Sequence, residues 1–142
     1  MNGKTLMAGM CLWAALLLAP AAWAGMVLEG RCVACGYATG GLALFGGRAD
    51  FQRNCRFPVL CPDCGRLEVV NLLDARAACR QCPASPMIPY DDPRLAGAPG
   101  GQEVASWRAP NLGRTLRLSN GGYYCPACGK FELRFKRLAM YD

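Results

Sequence analysis

Four Cys-x-x-Cys pairs in a chain without histidine are the feature that most limits what this sequence can fold into. The chain has 142 residues, ten of which are cysteine, and the pairs are Cys32/Cys35, Cys61/Cys64, Cys79/Cys82 and Cys125/Cys128. The absence of histidine excludes Ser-His-Asp and Cys-His catalytic sets, metalloprotease helices that bind zinc through two histidines, and mixed Cys/His zinc fingers. The chemistry of this chain must therefore be sought in its sulfur atoms.

The first 24 residues have the pattern of an export signal. Residues 5–28 carry no charge and follow Lys4, Pro20 ends the most apolar run, and Ala22-Trp23-Ala24 supplies the small residues that a signal peptidase reads. We expect cleavage after Ala24, which leaves residues 25–142 as a periplasmic or extracellular protein. The alternative is an uncleaved N-terminal membrane anchor, because the uncharged run is just long enough to span a bilayer.

The sequence after residue 24 predicts a mostly β fold. Phe131, Leu133 and Phe135 alternate with charged residues, the period expected of a half-buried strand. The aliphatic residues at 66–73 predict another strand, and the glycine-rich residues 39–47 predict turns around one short apolar strand. Since no segment shows the period of an amphipathic helix, the predicted fold is a small zinc-ribbon-like domain of short antiparallel strands and metal knuckles.

Three further features predict local structure in the second half of the chain. Residues 83–101 are rich in proline and glycine and predict a loop or tether. Residues 115–119, followed by Asn120-Gly121-Gly122 and Tyr123-Tyr124, predict a hairpin, because Asn-Gly adopts positive φ readily. Trp107 lies between these segments, and we expect it to fill a small core.

Three of the four cysteine pairs are followed directly by glycine, at Gly36, Gly65 and Gly129. Two intervening residues let both sulfurs face one ion, and the glycine accepts the backbone conformation that turns amide groups toward the thiolates. The third pair continues into Pro83 instead, so it is the weakest of the four.

These glycine-terminated pairs resemble the knuckles of zinc ribbons and rubredoxins. The resemblance covers the four motifs and the strands that follow them, and it implies metal ligation while leaving function open. Cysteine-only ligation means Cys₄ sites, and eight paired cysteines fill two such sites, which are structural in kind. We therefore expect two zinc ions, with iron as the alternative metal, held by Cys32, Cys35, Cys61, Cys64, Cys79, Cys82, Cys125 and Cys128.

The spacing of the pairs favours nested sites over sequential ones. Cys64 and Cys79 are separated by 14 residues, close to the zinc-ribbon gap of about 15–20. This favours an inner ribbon, at about residues 58–90, that uses the second and third pairs, and an outer site that joins the first and fourth pairs within a single metal-stapled domain at 25–142. In the alternative, rubredoxin-like order, the first pair joins the second across 25 residues.

Disulfides compete with metal as the fate of these cysteines, because exported cysteines are commonly oxidised. A bridge within one pair closes a loop of about four residues and stabilises the fold by only about 2 kcal/mol. A zinc site contributes an apparent free energy of order 10 kcal/mol, so metal is favoured, with long-range disulfides as the alternative. Cys55 stands outside the pairs, and we expect a small buried apolar side chain. A reactive thiol and a substitute ligand for the third pair are the other possibilities.

Three classes of function are compatible with these motifs. The first is an exported structural or interaction module without a catalytic site, whose protein partner the sequence does not name. The second is a redox protein, either by rubredoxin-like electron transfer or by thiol–disulfide exchange; exchange is disfavoured because Cys64 and Cys128 lead into strands rather than helices. The third, nucleic-acid binding through Arg134, Lys136 and Arg137, is disfavoured by export and requires that the N-terminal segment keep the chain inside the cell.

Charged residues give no support for an enzyme, and the net charge is weak evidence for an anionic partner. Asp91 and Asp92 lie in a turn and Asp63 lies inside a knuckle, so no defensible pair of catalytic carboxylates exists. Removal of residues 1–24 leaves a formal charge of +5. Two filled Cys₄ sites would reduce that charge to about +1, because each contributes four thiolates and one divalent cation.

Overall fold

The computed structural model describes residues 25–45, 53–98 and 100–141. The predicted export signal and its cleavage site fall on residues 1–24 and lie outside the described residues. Within the described ranges, no helix is both long enough and apolar enough to cross a membrane.

The described residues form short strands, and the predicted mostly β fold is confirmed. Two single-turn 3₁₀ helices, Pro93–Leu95 and Pro110–Leu112, interrupt the loops. The strands are β1 Gly25–Cys32, β2 Ala38–Leu44, β3 Arg56–Leu60, β4 Leu67–Asn71, β5 Ile88–Pro89, β6 Glu103–Ala109, β7 Arg114–Ser119 and β8 Leu133–Tyr141.

These strands pair antiparallel in three small sheets, with strand orders β2-β1-β8, β4-β3-β5 and β6-β7. In the first sheet β1 is central, and its register with β8 runs from Gly25 opposite Tyr141 to Cys32 opposite Leu133. Just beyond, the Val33 amide donates to the Glu132 carbonyl at 3.1 Å. The first knuckle, which follows β1, and the fourth, which precedes β8, therefore lie at the same end of this sheet.

An aromatic cluster occupies the core beside that sheet. The rings of Tyr90, Tyr123 and Phe135 meet edge to face, with centroids 5.2 to 6.2 Å apart. The predicted alternation is confirmed at Leu133 and Phe135, which are buried while Arg134 and Lys136 are exposed. It is wrong at Phe131, which lies before β8 and is 44% exposed. Trp107 is half-buried and stacks on Phe45 at 4.9 Å, which agrees with its expected place at the core.

The predicted hairpin has the wrong partner strand. Residues 114–119 pair with β6, where Trp107 lies opposite Leu116, and Gly113 closes that hairpin with a φ of 66°. Asn120-Gly121-Gly122 does not use positive φ, and Tyr123 instead exchanges backbone hydrogen bonds with Leu133 at 2.7 and 2.9 Å. This pairing places the Tyr123 ring in the aromatic cluster, a long-range gain that outweighs the local turn preference.

The described part of the predicted loop, residues 83–98, forms a packed segment rather than a tether. The segment contains β5, a 3₁₀ helix and the fully buried Tyr90, whose hydroxyl donates to the Tyr124 carbonyl oxygen at 3.1 Å. Asp92 caps the 3₁₀ helix by accepting from the Arg94 amide at 2.9 Å, and Asp91 pairs with Arg114. Both carboxylates therefore have structural partners.

Candidate metal centres

The eight paired cysteines lie in two groups of four, and in each group the four Sγ atoms are all within 4.8 Å of one another. We call them the outer group and the inner group. The outer group is Cys32, Cys35, Cys125 and Cys128; the inner group is Cys61, Cys64, Cys79 and Cys82. The pairs are therefore grouped in the nested order, and the sequential grouping of the first pair with the second does not occur.

Sulfur spacing in both groups fits a tetrahedral metal site. Four sulfurs about 2.3 Å from a zinc ion lie about 3.8 Å from each other. Sγ–Sγ distances between knuckles are 3.7 Å for Cys32 to Cys128 and 3.8 Å for Cys35 to Cys125 in the outer group, and 3.5 Å for Cys64 to Cys79 in the inner group. A disulfide needs about 2.05 Å, and all nine described cysteines are free thiols. The donor set and its spacing thus fit a divalent metal with four thiolate ligands.

Three of the knuckles share one backbone conformation. In each, the amide of the first cysteine donates to the carbonyl five residues later, and the glycine amide donates back to the carbonyl of that cysteine. The glycines have φ values of 77°, 67° and 71° at Gly36, Gly65 and Gly129, which L side chains rarely adopt. The role that the sequence predicted for these glycines is confirmed.

Amide groups of the knuckles act directly on the thiols. Burial raises the pKa of Cys32. Hydrogen bonds from the Cys35 and Ala34 amides and from neighbouring thiols have a larger, opposite effect, so the pKa is lowered to about 7. In the outer group burial raises the pKa of Cys125 to about 12. Adjacent thiols therefore resist being ionised together, because each negative charge opposes the next. A divalent cation among the sulfurs removes that repulsion and suits the whole set.

The third knuckle departs from this pattern, as its sequence predicted. Pro83 has no amide hydrogen, and the turn closes later, where the Ser85 amide donates to the Cys82 carbonyl at 2.9 Å. The thiol of Cys82 has a pKa raised to about 12 by its hydrogen bond with Cys64 and by burial. The inner group thus combines one well-formed knuckle with one that lacks a glycine amide.

Ser85 lies beside the inner group, and the sequence analysis did not identify it. Ser85 is only 5% exposed, and its hydroxyl makes no hydrogen bond of good geometry among the described residues. Burial raises the pKa of Cys61, but the Cys64 amide, the Ser85 hydroxyl and neighbouring thiols lower it to about 6. The signal in the sequence was a serine shortly after the one knuckle that lacks glycine.

The two centres are neighbours through their knuckles. A Cβ at Gly65 would lie 3.7 Å from the Pro126 carbonyl oxygen, so the second knuckle touches the fourth. Within each pair the first cysteine is buried and the second is closer to solvent, and Cys35 is exposed. Each group therefore has one side in the core and one side near the surface.

Cys55 lies outside both groups, as a buried residue with 1% exposure. Burial raises the pKa of its thiol to about 11, with a smaller lowering by Arg114 and a smaller raising by Asp91. The expectation of a small buried side chain is confirmed. Because both groups are complete without it, Cys55 has no place as a substitute ligand.

Replacing Cys55 by alanine should leave the bound metal unchanged. The change removes one buried sulfur, and we expect a loss of about 1 kcal/mol in the free energy of unfolding. Titration with a disulfide reagent should find Cys55 unreactive in the folded protein, and the denatured, chelator-treated variant should show one thiol fewer than the parent. Fast reaction of Cys55 in the folded protein, or loss of metal from the variant, would contradict its assignment as a packing residue.

Comparisons with protein-family models, curated proteins and solved structures gave no match to this chain. The class of the protein is therefore defined by its own fold and site. It is a mostly β protein with two tetrathiol groups that could bind metal, consistent with zinc-ribbon-like knuckles.

Proposed function

We propose that this chain is an exported structural or interaction module that is stapled by two zinc ions, one in each cysteine group. The observation that carries the proposal is the presence of two complete sets of four thiols at tetrahedral spacing. The N-terminal sequence pattern supports export, and cleavage after Ala24 would leave Gly25, the first residue of β1, at the N-terminus.

A structural role follows from the ligand count. Four thiolates fill every position of a tetrahedral zinc ion, so neither water nor substrate has a ligand position. The zinc ions supply charge neutralisation and cross-links. The outer group would join the ends of β1 and β8, and the inner group would join the β3–β4 hairpin to the segment that leads into β5. The outer cross-link would reinforce the end of the ladder between β1 and β8, and the inner one would supplement the two residue pairs that join β3 to β5.

Metal analysis combined with mass spectrometry of the purified protein tests this proposal. We expect two equivalents of zinc, a colourless solution, eight thiols protected until a chelator is added, and a mature mass that begins at Gly25. A metal-free protein whose mass shows four disulfides would refute the metal proposal. A mass that retains residues 1–24 would refute the cleaved export signal while leaving the metal sites intact.

Electron transfer is the second candidate function. The observation that favours it is the shared backbone conformation of three knuckles, in which amide groups donate to the sulfur of the first cysteine, an arrangement that also suits an iron site. The exposed Cys35 would bring one ligand of the outer group to the surface. A protein purified from its own source that is coloured, and that bleaches reversibly with a reductant, would favour this candidate; a colourless protein would exclude it.

A further inference from the structure

Two free sheet edges line one groove on the surface. β2 is the edge of the sheet β2-β1-β8, and β4 is the edge of the sheet β4-β3-β5. Gly41, Leu42 and Ala43 of β2 and Leu67, Glu68 and Val69 of β4 line a cleft of about 320 Å³. Each wall thus offers three residues of an edge strand without a neighbour on that side among the described residues.

The shape of this groove suits a peptide segment that lies across its mouth. β2 contributes Gly41 and the small side chain of Ala43, while Leu42 between them is buried. At the end of β2 the Phe45 amide donates to the Arg56 carbonyl at 2.7 Å, whereas a strand inserted between two others separates them by about 9–10 Å. A peptide would therefore lie over the groove rather than between its walls.

The charge of the groove favours an acidic occupant. Arg56, Arg66 and Arg80 line it and are exposed, whereas Glu68 is its one acidic residue. Arg66 lies 3.3 Å from Glu68, while Arg56 and Arg80 form no ion pair within the described residues. Two arginines are thus available for carboxylates of a ligand.

Glu68 is already paired with a residue of the groove. Its side chain is only 13% exposed, and its buried Oε1 atom lies 3.3 Å from the Nε atom of Arg66. Glu68 therefore partly neutralises Arg66, which leaves Arg56 and Arg80 to carry the positive charge of the groove.

We propose that the groove between β2 and β4 binds an extended acidic segment of a protein partner. The segment lies across the mouth of the groove and places its carboxylates against Arg56 and Arg80. This inference rests on the proposed function, since it names the partner chemistry of an interaction module, and its failure can be separated from failure of the metal sites.

The test uses a seven-residue, end-capped, fluorescent peptide that alternates valine with glutamate, and a matched peptide that alternates valine with lysine. Fluorescence anisotropy on the zinc-loaded protein should give a Kd at least about tenfold lower for the glutamate peptide. Arg56→Glu should weaken its binding by about tenfold or more. Arg76→Glu is the matched control, because the Arg76 side chain is 94% exposed and lies outside the groove. Amide resonances of β2 and β4 should shift on binding.

Zinc is measured in every sample, so the two proposals separate. If the protein holds two zinc ions but does not prefer the glutamate peptide, the proposed groove is refuted and the proposed function stands. If a metal-free, folded protein binds the glutamate peptide, the proposed zinc sites are refuted and the groove stands. If the Arg56→Glu variant loses zinc, the Arg56→Gln variant is measured instead. An unchanged affinity of Arg56→Gln for the glutamate peptide would refute the proposed groove. Tighter binding of a single-stranded oligonucleotide than of the peptide, or resonance shifts outside β2 and β4, also overturns it.

Discussion

Replacement of Cys125 by serine should remove one of two bound metal ions and abolish cooperative folding. Cys125 is fully buried in the outer group, and its loss leaves three thiols that can no longer close a tetrahedral site. Because metal binding to such sites contributes folding free energy of order 10 kcal/mol, the loss should exceed that of any single apolar truncation. Metal analysis and thermal unfolding followed by circular dichroism measure both effects.

Two other cysteine substitutions calibrate that result. Cys82→Ser in the inner group should release the other metal ion with a smaller loss of stability. The outer group links cysteines 96 residues apart and the inner group links cysteines 15 apart. The difference in loop-closure entropy is about 1.6 kcal/mol. Cys55→Ser should keep both metals. Retention of two ions by Cys125→Ser, or equal unfolding of Cys125→Ser and Cys55→Ser, would refute the outer centre.

Replacement of Tyr90 by alanine should cost about 3–5 kcal/mol, the largest effect expected from a residue that is not a cysteine. The Tyr90 ring is fully buried and contacts Tyr123 and Phe135, and burial raises the pKa of its hydroxyl. Tyr90→Phe keeps the ring and loses only the hydrogen bond to Tyr124, so it should cost about 1 kcal/mol. Urea denaturation of the zinc-loaded proteins measures both changes.

Phe131→Ala is the control for the loss of an aromatic ring. Phe131 is 44% exposed and lies outside the buried cluster, although its edge contacts Tyr124. We expect its replacement to cost less than about 1 kcal/mol. If the alanine variants at Tyr90 and Phe131 were equally stable, the aromatic cluster would not be the core that joins β5 and β8.

The sequence predicted the features that depend on local pattern. The alternation at Leu133 and Phe135 identified the buried face of β8, and glycine after three cysteine pairs identified the turns that need positive φ. The gap between Cys64 and Cys79 favoured the nested grouping, because a ribbon hairpin of that length brings two knuckles together.

Features that depend on long-range packing could not be predicted in this way. The turn at Asn120 was assigned to the wrong hairpin. The strand before it pairs with β6, and Tyr123 after it packs in the aromatic cluster, and neither partner is close in the sequence. Proline and glycine around Tyr90 concealed a buried aromatic residue, and Ser85 became recognisable only once Cys61 was placed beside it. The groove between β2 and β4 requires two sheets to be positioned and has no local signature.

The separation of the two halves of the outer group makes its assembly dependent on synthesis of the chain as far as Cys128. At about 5–20 residues per second, a ribosome presents Cys125 and Cys128 about 5–20 s after Cys32 and Cys35. All four cysteines of the inner group are present once Cys82 has been made. A chain that ends before Cys125 could therefore complete the inner group but never the outer one.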